Sequence, residues 1–502
     1  MSLIAVLLAN IVTVSLVFIL TTAFFFYFLF KPSKSSVYRF PPGPAGWPVI
    51  GNLNILDMKK PHETLCQLSE KYGNVFTFHM GRQRCVVLTG YETVKEALVN
   101  QADDFGERGM THASTVFSKG AGVVFGSGES WKTMRRFTLS TLRDFGMGKR
   151  TIEDRIVEEA RCLLDVFESH KGDSFDPIIN INSAVSNVIC TIVFGDRFDY
   201  SDPQFLRLQQ LLRQNIKLGI SPAMRLYEIF PFLGSFLANF KKMSSNNLET
   251  QMYFSNYYHE RKDIVDRNDL RSFIDAFIAK QQEEEIKNPN TYFNEVNMVS
   301  TAGNLFGAGT ETTSTTLRWG LLLLMKYPHI QEKVHAEIQA VIGKERPPRV
   351  EDRKDMPYTD AVLHEIQRFA NVVPMNVLHQ TKSDIDFKGY RIPKGTPVIP
   401  LLTSVLFDKN HWETPHKFNP QHFLDAKGKF VKREAFMPFS AGRRVCLGET
   451  LARMELFLFF TLLLQRFKFS LPPGVRAEDV DLSPTIGVTN APKPYKLCAI
   501  RQ

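Results

Sequence analysis

From Leu451 to Leu464 the chain is apolar around most of a helical circumference, interrupted only by Arg453, Glu455 and Thr461. A helix without a polar face has to be covered on all sides, which the interior of a large helical fold can do. Just before it stands Phe439-Ser440-Ala441-Gly442-Arg443-Arg444-Val445-Cys446-Leu447-Gly448, with a single cysteine between glycines. Cys446 is therefore expected near the N-terminus of the buried helix, where free N–H groups and the helix dipole favour a thiolate. Gly442 and Gly448 are expected to let the backbone approach a large planar group. Arg444 is placed to neutralise a carboxylate on that group. A lone cysteine is ordinarily an inert core residue; the ten-residue pattern is what argues for chemistry.

The second constraint is the uncharged run Leu3 to Phe30. A helix needs about 20 residues to cross the hydrocarbon of a bilayer. No Lys or Arg precedes the run, and its Phe24-Phe25-Phe26-Tyr27-Phe28 end does not suit a signal peptidase, so a retained anchor is expected. Lys31, Lys34 and Arg39 follow at once, which puts the main domain in the cytosol. Six dispersed cysteines form neither a zinc pattern nor a disulfide framework and agree with a reducing compartment. The formal charge of +9 favours an acidic partner or an anionic membrane surface. Without a basic run interleaved with aromatics, nucleic acid is not expected as a partner.

The chain divides into residues 1–30 as anchor, 31–48 as a basic and proline-rich hinge, and 49–502 as one large domain. Pro41, Pro42, Pro44 and Pro48 exclude helix and predict a stiff connector. The fold class expected is mainly α with small β pieces near 75–90, 372–400 and the C-terminus. Val75–Phe78 and Cys85–Leu88 flank a turn at Met80-Gly81. Leu270 to Ile278 and Ile330 to Ile342 repeat at helical spacing, with a loop expected at Glu283-Glu284-Glu285.

Three further patterns carry chemistry. Leu305-Phe306-Gly307-Ala308-Gly309-Thr310-Glu311-Thr312 lies in a long helical stretch, where each interior glycine costs about 1 kcal/mol. Small residues there would let a ligand press on the helix, beside the carboxyl of Glu311 and the hydroxyl of Thr312. Glu365 and Arg368 form an i,i+3 pair that alone means little. Trp131 and Arg135 stand one helical turn apart and can present an indole N–H and a guanidinium on one face.

The segment 439–448 resembles the cytochrome P-450 haem-binding signature F-x-x-G-x-R-x-C-x-G at every fixed position. The other three patterns resemble that family's motifs in its order, and the resemblance spans essentially the whole chain. It implies Cys446 as axial ligand of the iron of haem b, with Phe439 packing beside the sulfur. It implies haem propionates held by Arg444, Trp131 and Arg135, with Arg108 and His379 joining them. Thr312 and Glu311 would help deliver protons during dioxygen activation. Glu365 and Arg368 would be buried and structural, and their downstream partner motif is matched by Pro415, Phe418, Pro420 and Phe423. That motif's usual arginine is His422 here, a departure resembling the animal microsomal family 2 branch. Phe125, Ala308, Gly309, Val373, Val377 and Val488 are expected to line the substrate pocket.

The expected activity is a microsomal monooxygenase of the endoplasmic reticulum membrane, single-pass with a cytosolic catalytic domain. It would insert one oxygen atom of dioxygen into lipophilic molecules of xenobiotic, steroid or fatty-acid type. Electrons would come from NADPH through a flavoprotein reductase, with cytochrome b5 a further candidate partner. Lys132, Arg136, Arg143 and Arg443 are expected to form a basic docking patch near the cysteine. The competing readings are a haem-thiolate isomerase or dehydratase, and a non-catalytic haem or lipid carrier.

Overall fold

The computed structural model describes residues 13–22, 24, 39–485 and 487–502. Most of the expected anchor, and residues 31–38 of the expected hinge, lie outside the described residues. Residues 13–22 are helical, and Val14 and Phe18 are each 69% exposed. Among the described residues no helix is long and apolar enough to cross a membrane.

Five helices position the site: α1 (Gly128–Asp144), α2 (Ile178–Val193), α3 (Glu295–Lys326), α4 (Pro357–Ala370) and α5 (Glu449–Arg466). The all-round apolar segment is α5, and Leu456 through Phe460 are buried without a break. Burying each Leu or Phe side chain stabilises the fold by about 1.5–3 kcal/mol. α3 packs against α2, α4 and α5 and shares one hydrophobic core with them. Its start is capped by Asn294, whose side chain accepts from the Asn297 N–H.

Glu283–285 do not form the expected loop: they sit inside the helix Phe273–Lys287. Lys280 and Lys287 flank them at i,i+3 and i,i+4 and pair with Glu283 and Glu284, which offsets the like-charge repulsion.

The strands β1 (Val75–Met80), β2 (Gln83–Leu88), β3 (Glu107–Arg108), β4 (His379–Gln380) and β5 (Pro397–Pro400) form one sheet in the order β1-β2-β5-β4-β3. β1 and β2 pair antiparallel, as the alternating sequence predicts. The β3–β4 pairing sets Arg108 directly opposite His379, bringing together residues 271 positions apart (379 − 108). The proline segment is docked rather than free. Thr77 donates from its N–H to Pro42 O at 2.8 Å and from its hydroxyl to Pro41 O at 2.7 Å.

Candidate active site

Cys446 sits where the sequence predicts, in the loop that leads into α5, and its sulfur faces a cavity of ≈ 290 Å³ between that loop and α3. The loop is tied at its neck by the Cys446 N–H donating to Phe439 O at 2.9 Å. Although open to the cavity, the thiol is surrounded by protein, and burial pushes its pKa up. A hydrogen bond from the Gly448 N–H and, more weakly, the charge of Arg135 pull it back down. Gly448 leaves open space where a Cβ would stand, as close approach of a planar group requires. Gly442 is required by the backbone beside it. Its φ is +71°, and a Cβ there would lie 1.6 Å from Leu98 O. A side chain there would run into that neighbouring backbone.

The edge of the cavity collects positive charge. Arg108, Arg135 and Arg444 all line it. Burial and the charge of Arg135 pull Arg108 down to about 10; burial and Arg108 pull Arg444 down to about 9. Arg108 Nε donates to Val124 O at 3.0 Å, and Arg135 Nη2 to Val445 O at 2.6 Å. Arg444 lies 3.5 Å from the centre of the Trp131 ring and donates to Gly106 O and Gly126 O. The Glu107 carboxylate comes within 3.9 Å of Arg444, too little to balance three guanidiniums. Trp131 Nε1, His379 Nε2 and Arg444 Nη1 are buried without a protein partner. Burial and Arg108 push His379 down to about 3, and its Nδ1 is 2.8 Å from Phe105 O. His379 and Trp131 do not line the cavity but stand behind the arginines that do. The unpartnered N–H groups of Trp131 and Arg444, together with three self-repelling cations, fit an anionic, planar group such as haem b, whose carboxylates would satisfy them.

Across the cavity stands α3. Ala308, Gly309 and Thr312 line it, and the Thr312 hydroxyl donates to Ala308 O at 2.8 Å. The glycines also serve packing. A Cβ on Gly309 would come 2.6 Å from Ile189 Cδ1 of α2, and one on Gly307 would touch Leu212 at 3.5 Å. Glu311 is not among the residues that line the cavity, and burial raises its pKa. Val373 and Val377 line the cavity as expected; Phe125 does not, and its neighbours Val123 and Val124 do. Val488 lies outside it and is 63% exposed; the next residue, Thr489, is the buried one of that turn, and it does not line the cavity either.

Sequence reasoning missed Glu455, which lines the cavity from α5 and is 1% exposed. The available signal was a carboxylate inside an otherwise apolar helix. It also missed Asn304 and Leu305, one turn before Ala308 and Gly309 on the same face of α3.

Glu365 and Arg368 are both fully buried and doubly hydrogen-bonded, each contact at 2.8 Å. Arg368 also donates to Leu406 O, Pro415 O and Lys417 O. His422 occupies the place of the missing arginine. Its Nε2 accepts from the Thr414 N–H, so its Nδ1 is the donor to Glu365 Oε2 at 3.1 Å. On the outer side of the cysteine loop, Lys132, Arg136, Arg143 and Arg443 line one groove. Lys132 pairs with Glu129 and Arg443 with Asp103.

A family model described as cytochrome P-450 matches residues 41–499. Cytochrome P-450 2K1 of Oncorhynchus mykiss is 52% identical over 493 residues, covering 97% of this chain and 98% of its own. Cytochrome P-450 2K6 of Danio rerio is 49% identical, covering 91% and 90% respectively. Cytochrome P-450 2B4 of Oryctolagus cuniculus is 46% identical, covering 93% and 95%. With the thiolate loop, the cationic edge and the helix that faces them, these matches establish that the chain belongs to the cytochrome P-450 family and is a haem-thiolate monooxygenase that works with haem b and dioxygen.

Proposed function

We propose that this chain is an endoplasmic reticulum monooxygenase that oxidises lipophilic small molecules with NADPH electrons passed on by a flavoprotein reductase. The observation that carries it is the cavity itself: Cys446 on one wall, Thr312 on the other, and valines between. Bound haem supplies the redox chemistry of dioxygen reduction; everything else falls to the chain. Cys446 would supply the thiolate that holds it, with the Gly448 N–H and Arg135 acting against the burial that raises the thiol's pKa. Arg108, Trp131, Arg135, His379 and Arg444 would hold the carboxylates of that group. A carboxylate beside His379 favours its protonated form, in which Nε2 becomes a donor. Val373, Val377 and Ala308 exclude water and orient an apolar substrate. Thr312 lines the cavity with its hydroxyl proton resting on Ala308 O, from which it can be turned to the cavity, and Glu311 is the acid next along α3 that would resupply it.

The apolar run from residue 3 to 30 anchors the domain. Its support is the exposure of Val14, Leu16, Val17, Phe18, Ile19 and Leu20 on the helical part at 13–22, which in water would be an unmet cost. The basic groove beneath the cysteine loop receives the reductase. The test is reconstitution with an NADPH-dependent flavoprotein reductase in lipid vesicles and a panel of lipophilic substrates under isotopically labelled dioxygen. One labelled oxygen per product, dependent on NADPH, reductase and the first 30 residues for vesicle binding, is the expected result. Product formed equally without the reductase overturns the electron route.

A further inference from the structure

The C-terminal hairpin Pro484–Thr485 with Ala491–Pro492 closes in a tight turn, where a Cβ on Gly487 would lie 2.6 Å from Thr489 O. That turn is tied to the helices beside the cavity. Asn490 O accepts from Trp319 Nε1 of α3 at 2.8 Å, and Pro492 O from Arg318 at 3.3 Å. Asn490 donates to Val372 O from its N–H and to Asn371 O from its side chain. The turn therefore cannot drift along α3. It delivers one side chain inward: Thr489 is 7% exposed, and its hydroxyl donates to Glu311 Oε1 at 3.0 Å. The Thr315 hydroxyl approaches the same oxygen from within α3 at 3.4 Å. The charged groups facing this carboxyl are Arg318 from its own helix and Arg213 from the helix Pro203–Gly219.

We propose that Thr489 is a positioning residue for proton delivery, its hydroxyl holding the Glu311 carboxyl in the orientation from which it serves Thr312. This rests on the reading of Glu311 as a proton-delivering group. Glu311 passes one proton and regains one from water, while Thr489 keeps its own throughout. Burial strengthens the hold of Glu311 on its proton; the two hydroxyls and the two arginines act against that. Thr489 supplies the shorter of the two hydroxyl contacts and is the one that belongs to a separate segment of chain.

The test uses the full-length haem-loaded protein with Thr489→Val, which keeps the side-chain shape, and Thr489→Ser, which keeps the hydroxyl. The carbonyl infrared band of protonated Glu311, assigned by its loss in Glu311→Gln, is titrated with pH. A lost hydrogen bond to a carboxylate should move the midpoint up by about one pH unit in Thr489→Val, and Thr489→Ser should stay with the parent. Peroxide released per NADPH should rise in Thr489→Val and in Glu311→Gln, but not in Thr489→Ser. A Thr489→Val protein with the parent's carbon monoxide spectrum and an unmoved carbonyl titration overturns the proposal. A moved titration with unchanged peroxide yield in both Thr489→Val and Glu311→Gln overturns it too, by removing the role of Glu311 on which it stands.

Discussion

A carboxyl inside an apolar helix is tolerated only if it is neutral or paired. Glu455 is pushed up to about 8 by burial, against a small opposing pull from Thr313, so at neutral pH it is largely protonated. Its unfolded value lies near ~4.3. Between these values the folded state keeps a proton that the unfolded state releases, so stability falls as pH rises through that window, by at most about 1.4 kcal/mol per pH unit. Glu455→Gln removes this slope. Its thermal midpoint should gain on the parent steadily from pH 5 to 8; a pH-independent difference between the two would show that Glu455 does not titrate there. Cys446→Ala should abolish the strongly red-shifted Soret band of the reduced carbon monoxide complex. Survival of that band would mean another residue is the ligand. Both residues stand out in the sequence, Cys446 through its pattern and Glu455 through its surroundings. Gly442 was legible as necessary, but nothing in the sequence places Leu98 O against it.

At the scale of elements, α2 and α3 meet through Gly309, where a Cβ would lie 2.6 Å from Ile189 Cδ1. Gly309→Ala gains about 1 kcal/mol of helix propensity but overpacks a contact that costs about 1–3 kcal/mol, so a net loss is expected. Removing the terminal methyl with Ile189→Val should recover part of that loss. A double variant whose unfolding midpoint equals the sum of the single effects would place the strain elsewhere. Val377 stands just before β4 and faces the cavity. Val377→Phe should redirect the position of oxidation on a substrate without altering the carbon monoxide spectrum. The long α3 and α5 were legible as helices because their periodicity is strong over many residues. The segment at 283–285 was not, because ion pairs to Lys280 and Lys287, not the acidic run itself, decide its state.

At the scale of the whole molecule, the net charge of +9 is given local shape by the groove under the cysteine loop. Lys132 and Arg443 are partly neutralised by Glu129 and Asp103, which leaves Arg136 and Arg143 as the stronger contributors to long-range attraction. Arg136→Glu should slow reductase-supported turnover and make it less sensitive to salt, since the Debye length falls from ~10 Å at 0.1 M to about 3 Å at 1 M. Turnover driven by added peroxide should be unchanged. Equal damage to both routes would assign Arg136 to the haem site or the fold.

The sequence alone determined the mainly helical class with small sheets, the loop of Cys446 ahead of a buried helix, and the i,i+3 pairing of Glu365 with Arg368. Each is a short-range pattern whose members are held together by one helix or one loop, so spacing along the chain is spacing in space. Tertiary structure alone decided what meets across long separations. Arg108 faces His379 because a sheet pairs them, and His422 reaches Glu365 because a loop folds back on α4. Thr489 rather than Val488 turns inward because the hairpin is bonded to Trp319 and Arg318. One residue's shift along a tight turn reverses the side to which a side chain points, and no local preference in the sequence distinguishes the two.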